Sequence, residues 1–133
     1  MTTFVDTSAF FAVLSADEAD TDRATRWLEQ IAATEDERLL THSYVVTESI
    51  ALIHRRLGTD MVKTFLDDLL PVCEIRYVGK DLHERATVAY LSSLSRSSSF
   101  VDRTSFELMR AEGIRQAFTL DPDFASAGFE TVP

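Results

Sequence analysis

The sequence predicts an α/β fold in three layers, a five-stranded parallel sheet with helices over both faces. Short apolar runs of strand type, such as residues 2–5 and 73–78, alternate with longer segments whose apolar residues recur at spacings of three and four, the patterns of strand and helix respectively. Strands separated by helices are joined by right-handed crossovers, which lay them parallel and bury the sheet on both faces. No internal repeat interrupts the alternation, and 133 residues suit one domain, 1–133, with a radius of gyration of about 14 Å.

The first strand covers about residues 2–5 and leads into a helix over about 7–14. A second helix begins near Thr21, where Asp22 suits the first turn, and carries Ala24, Trp27, Leu28 and Ile31 at helical spacing. Leu39-Leu40-Thr41-His42 is a short second strand. Helices follow over about 43–57, stopped by Gly58, and about 60–70, stopped by Pro71. Residues 73–78 alternate and form the third strand; 81–94 is helical. The stretch 92–99 holds six serines and is too short for a domain linker, which makes it a flexible loop. A helix over about 101–112 ends at Gly113, and 117–120 is the fourth strand. A short helical turn over 122–127 and a last strand over 129–132 complete the chain.

Four acids stand where an ordinary surface carboxylate is not expected. Asp6 closes the apolar run Thr3-Phe4-Val5, and Asp121 ends the fourth strand. Glu48 shares a helix face with Tyr44, Val45 and Leu52, and Asp102 lines up with Phe106, Met109 and Gly113. Open parallel sheets build their sites beyond the carboxyl ends of the strands. Two carboxylates about 5 Å apart repel by roughly 3 kcal/mol at an effective dielectric of 20, so such a cluster calls for a cation. Oxygen-only ligands select Mg²⁺ or Mn²⁺, ions that activate water in phosphodiester cleavage. Each acid also has a plainer role. Ser99-Phe100-Val101-Asp102 fits a capping box, Asp6 before Thr7-Ser8 suits an N-cap, Asp121-Pro122-Asp123 suits a turn, and Glu48 suits a solvated position if the helix phase shifts by one residue.

Composition narrows the classes. A net charge of −9 argues against broad electrostatic capture of nucleic acid. Eleven of the thirteen basic residues are arginines, however, and arginine forks grip phosphate bidentately; Arg103 and the Arg55-Arg56 pair are candidates for drawing in a substrate backbone. Cys73 is the only cysteine, which excludes an internal disulfide and suits a small core hydrophobe in a reducing cytoplasm. No apolar run approaches the roughly 20 residues a membrane span needs, and no signal-peptide pattern opens the chain.

Taken together, Phe4-Val5-Asp6-Thr7-Ser8-Ala9, Val46-Thr47-Glu48-Ser49, the helix start Phe100-Val101-Asp102-Arg103-Thr104-Ser105-Phe106 and the closing Ala117-Phe118-Thr119-Leu120-Asp121-Pro122-Asp123-Phe124 with Gly128-Phe129 resemble a PIN domain. More narrowly, they are similar to the VapC ribonuclease toxins of toxin–antitoxin pairs, in order and over essentially the whole chain. The resemblance implies a Mg²⁺- or Mn²⁺-dependent endoribonuclease on a sheet of order 3-2-1-4-5, usually a homodimer. In it Asp6, Glu48, Asp102 and Asp121 match the metal-site acids, Thr119 takes the hydroxyl position supporting the fourth, and Asp123 is a weaker candidate for that fourth role. It also implies a cognate antitoxin, expected to lie in a groove offered by Phe10, Phe11, Trp27, Met61 and Phe65. A catalytically inactive interaction module on the same fold is the alternative, which the intact acid set opposes. A receiver domain would need a phosphoacceptor aspartate ending the third strand, where Val78-Gly79-Lys80 stands instead. A phosphomonoesterase with an Asp-x-Asp pair lacks its second aspartate at Ser8.

Overall fold

Three consecutive residues of the first strand, Thr3, Phe4 and Val5, are buried, and since successive side chains point to opposite faces, that strand is covered on both sides. The computed structural model describes residues 1–16 and 19–133. Its elements in chain order are β1 (Thr2–Val5), α1 (Thr7–Leu14), α2 (Thr21–Ala32), β2 (Arg38–His42), α3 (Ser43–Leu57), α4 (Thr59–Thr64), β3 (Glu74–Arg76), α5 (Lys80–Leu91), α6 (Phe100–Glu112), β4 (Gln116–Phe118), α7 (Pro122–Ser126) and β5 (Glu130–Val132). The five strands are all parallel, in the order β3-β2-β1-β4-β5. No helix among the described residues is long and apolar enough to cross a membrane.

Register divides the core into two halves. Phe4 pairs with Leu40 and Ala117, and on that face Phe4 meets the ring of Phe124 from α7 at 6.1 Å, which in turn meets Phe106 of α6 edge-on at 4.9 Å. Val5 pairs with Phe118, and on the other face Trp27 of α2 lies 4.5 Å from the Phe118 ring. Helices therefore cover both faces, as the alternation predicts.

Several boundaries differ from the sequence reading, the third strand among them at Glu74–Arg76 instead of 73–78, and three have a clear local reason. The helix expected over 60–70 starts at Thr59 and is regular only to Thr64, followed by a wide five-residue turn at Phe65–Leu69 and a tight one at Leu70–Val72. Pro71 has no N–H to return to the preceding turn, so it lies inside the tight turn instead of beyond the helix, and Phe65, Leu69 and Leu70 are all buried. Helix α5 stops at Leu91 rather than 94 because the hydroxyls of Ser92 and Ser93 take the Ala89 carbonyl at 3.0 and 2.7 Å. Strand β4 ends at Phe118, not at Leu120. Thr119 still donates to Val132, but the Leu120 N–H turns to the Ser8 hydroxyl at 2.9 Å, and Asp121 becomes the cap of α7 rather than a strand terminus.

The half-buried Cys73 thiol, pushed by burial up to about 12, packs against the core as an inert group. Gly113 closes α6 in the left-handed region at φ 69°, where Cβ-bearing residues are strained.

Phe124 joins both strands' core and α6, so Phe124→Ala should cost about 3–5 kcal/mol and lower the melting temperature by about 10–20 °C in a calorimetric scan. A loss below about 3 °C would show that the Phe4–Phe124–Phe106 stack does not organise this face.

Candidate metal centre

Helix beginnings place the acids. Asp6 follows β1 directly and caps α1, its Oδ2 accepting from the Ser8 N–H at 3.4 Å and the Ser8 hydroxyl at 2.8 Å. Thr119, one residue past β4, donates its hydroxyl to the same oxygen at 3.1 Å and accepts the Asp121 N–H at 3.0 Å. One threonine thereby ties the end of β1 to the loop carrying Asp121. Asp121 caps α7 through the Asp123 N–H at 2.9 Å. Asp102 is the third residue of α6 and forms a reciprocal capping box with Ser99, at 3.0 and 3.1 Å. The capping roles and the acid cluster thus coincide on the same side chains, and the positive ends of the helices offset part of the mutual repulsion.

Glu48 is placed differently. The fully buried row of α3 is Val45, Ser49 and Ile53; Glu48 rides beside it, half-buried, with Tyr44 and Leu52. The helix is packed as expected, but its deepest face lies one residue round from the predicted one. Ser49 holds the Thr7 hydroxyl at 3.3 Å, which locks α3 against the start of α1.

One oxygen from each of Asp102, Asp121 and Asp123 lies within 4.8 Å of the others. Asp6 and Glu48 are joined to that trio by their fields. Burial pushes Asp6 up to about 6, against bonds from Ser8 and Thr119 that favour its charged form. Burial likewise raises Asp102 to about 6, opposed by its Ser99 bonds and reinforced by the charges of Asp6 and Asp121. Glu48 is raised by burial, with the Thr7 hydroxyl opposing and Asp102 and Asp121 adding to it. All four predicted acids therefore share one electrostatic site. Asp123, the weaker candidate, is a member of its tightest part.

The donor set fits a hard divalent cation. It consists of carboxylate oxygens only, with no histidine or cysteine among the described residues of the trio, the choice that suits Mg²⁺ or Mn²⁺ rather than softer metals. Burial holds Asp6, Glu48 and Asp102 above their ordinary pKa values, with neighbouring acids adding to it at Glu48 and Asp102, a strain that a cation relieves.

Sequence reasoning named Thr119 and Ser99 but missed the other supports. Ser97 reaches both Asp123 oxygens at 3.0 and 3.1 Å and Ser98 one at 3.4 Å, so the serine stretch is tied to the site and is not merely a loop. His42, fully buried, accepts the Tyr44 and Val45 N–H groups at Nδ1 (3.2 and 3.3 Å) and therefore donates from Nε2 to Ser105 at 2.8 Å. That single neutral ring fixes the start of α3 against α6, the helices of Glu48 and Asp102. The signal for Ser99 was present as Ser-x-x-Asp; nothing in the sequence marks His42 and Ser105 as partners. Arg55 and Arg56 lie seven and eight residues beyond Glu48, about 10 Å along the helix, and Arg56 instead covers the Phe11 ring at 5.9 Å. The helix thus sets them about one turn further from Glu48 than Leu52.

A family model for the PIN domain matches residues 3–130. The chain is 35% identical over 130 residues to the 23S rRNA-specific endonuclease VapC20 of Mycobacterium tuberculosis H37Rv, covering 97% of this chain and 96% of that protein. The crystal structure of M. tuberculosis VapC20, a sarcin-ricin loop cleaving toxin, superposes with a TM-score of 0.86 at 34% identity, over 98% of this chain and 99% of the other. VapBC2 from Rickettsia felis, solved bound to a DNA fragment from its promoter, shares the fold at 15% identity with a TM-score of 0.74, over 98% and 97% of the two chains.

Because folding raises Asp6 from 3.8 to about 6, the folded chain keeps a proton that the unfolded chain has released. This protonation-linked stability is full at low pH and is lost as pH rises from about 4 through about 6. His42, lowered by burial to about 4, has the opposite sign: its contribution is present above the ordinary histidine value and lost as pH falls. A variant difference isolates the acid. Without metal, Asp6→Asn should be about 1–3 kcal/mol more stable than wild type at pH 7.5, and the gap should close toward pH 4 in urea melts. A gap independent of pH, or a less stable variant at pH 7.5, would contradict the raised pKa.

Proposed function

This chain belongs to the PIN-domain family, and from that premise we propose that it is a divalent-metal-dependent endoribonuclease, the toxin of a toxin–antitoxin pair. The observation that carries the reading is the gathering of carboxylates beyond the carboxyl ends of the inner strands β1 and β4, with Asp6 and Asp102 both held near 6. Close identity over nearly the whole length to a 23S rRNA-specific endonuclease makes ribosomal RNA the first substrate to test.

Asp6, Glu48, Asp102 and Asp121 would hold Mg²⁺, or Mn²⁺ in its place, with Asp123 beside them. When bound, the ion lowers the pKa of water and stabilises the oxygen that leaves the phosphorus. The protein's part is preorganisation. Asp102 and Asp121 each give one oxygen to a helix-start N–H, which orients the group and leaves the second oxygen for a ligand. Ser8 and Thr119 fix Oδ2 of Asp6 from two directions. The intact set weighs against the inactive-module alternative.

An antitoxin is the proposed protein partner, but the surface for it is narrower than the sequence suggests. Phe10 and Phe65 are core residues, so a groove rests on the half-buried Phe11, Trp27 and Met61. A homodimer is supported by the exposed Val88 and Leu91 of α5, with Leu94 just beyond it, at 69, 61 and 59% exposure. A second copy would cover that apolar line.

Purified protein incubated with ribosomal RNA should cut it only with Mg²⁺ or Mn²⁺, with cleavage lost in EDTA, and Asp102→Asn should reduce the rate at least about 100-fold. Full activity of Asp102→Asn at saturating Mg²⁺, with an intact fold by circular dichroism, would remove the assignment.

A further inference from the structure

A cavity of about 320 Å³ opens on the flank of the acid cluster, lined by Arg96, Ser97, Ser98, Arg103, Asp123 and Ser126 among others. Asp123 belongs to both, so the cavity and the cluster share a wall. Among the described residues neither Arg96 nor Arg103 forms an ion pair. The Nε of Arg103 is buried and has no hydrogen-bond partner. An unsatisfied buried donor is costly, the more so on a charged group, and in native proteins such an atom is met by ordered water, an ion or a ligand. The guanidinium carbon sits 5.9 Å from the Phe106 ring centroid, a contact that steadies the planar fork.

The arginine-lined cavity at the amino end of the sheet provides the contrast. There the Arg76 fork is filled by Glu112 at 3.0 to 3.2 Å and paired with Glu74. The Arg76 fork is thus already answered by carboxylates, although Arg38 and Arg115 line that cavity too; the one beside the acids has two arginines, neither ion-paired, and a single carboxylate, whose oxygens already accept from Ser97 and Ser98.

We infer that the Arg96–Arg103 cavity is a phosphate subsite, which seats a backbone phosphate of the RNA neighbouring the one that is cut. A guanidinium fork meets two phosphate oxygens at once, and Ser126 lines the same space, its hydroxyl donating to the Pro122 carbonyl at 3.2 Å. A chain of net charge −9 has no general attraction for RNA, so local cations must position the strand, and these stand next to the carboxylates that would hold the metal. Arg103 also follows Asp102 directly on α6, so one helix start sets the spacing between the bound phosphate and the acid cluster.

The inference rests on the ribonuclease reading and is tested so that the two can fail separately. Binding of a single-stranded RNA oligonucleotide is measured by fluorescence anisotropy across a KCl series, with Ca²⁺ replacing Mg²⁺ to hold off cleavage. Arg103→Met keeps the stem over Phe106 and removes the charge; Arg96→Ala, on the exposed serine segment, does not touch the core. Each should weaken binding about tenfold at low salt and reduce the log–log salt slope by about 0.7. Arg103→Lys should restore most of the slope, while Mn²⁺ affinity stays at the wild-type value in all three. Unchanged affinity and slope in Arg103→Met and Arg96→Ala, with wild type binding and cutting RNA, would overturn the subsite and leave the nuclease standing. Wild type that neither binds nor cuts RNA with metal would overturn both. Titration with inorganic phosphate separates a free anion from a polymer: tight phosphate binding that depends on Arg103, without any change in RNA slope, would also overturn the subsite.

Discussion

Like charges gathered at the carboxyl end of a parallel sheet are the constraint on which this structure depends. Asp102, Asp121 and Asp123 present oxygens within 4.8 Å of one another, and Asp6 and Glu48 feel the same field. Each close pair costs roughly 3 kcal/mol at an effective dielectric of 20, a large fraction of the stability of a domain this size. The fold tolerates them because helices α1, α6 and α7 begin there. Their free N–H groups bind the same carboxylates, and hydroxyls from Ser8, Ser97, Ser98, Ser99 and Thr119 complete the network. The remaining repulsion is what a divalent cation would relieve, which links the stability of the apo chain to its chemistry.

The same arrangement separates roles that the sequence presents as alternatives. An aspartate at a helix start reads either as a cap or as a ligand; here Asp6, Asp102 and Asp121 cap helices and stand in the acid site at once. Capping uses one oxygen and sets the rotamer, so the cap is the device that aims the group. Glu48, in the middle of α3, has no such device. It is held through its helix, which His42 and Ser49 pin to α6 and α1.

The layered α/β class was legible because strand and helix periodicities alternate cleanly, and the strand order followed from the resemblance. The acids were legible because sheet edges and apolar helix faces are poor places for a lone carboxylate. What escaped was everything set by contact between distant segments. His42 and Ser105 are sixty-three residues apart, and no periodicity joins them. Ser97 and Ser98 looked like loop composition because their partner, Asp123, comes twenty-five residues later. Phe10 and Phe65 read as surface for a partner, whereas each fills the core against the other, rings 5.1 Å apart.

The central claim is that these carboxylates form a metal centre, and crystals soaked in Mn²⁺ test it most directly through anomalous scattering. The account predicts a strong anomalous peak bounded by Asp6, Asp102 and Asp121, with carboxylate oxygens at about 2.0–2.2 Å and Glu48 or Asp123 completing the shell directly or through water. Absence of any peak among these residues at saturating Mn²⁺, with the acids unmoved, would contradict it.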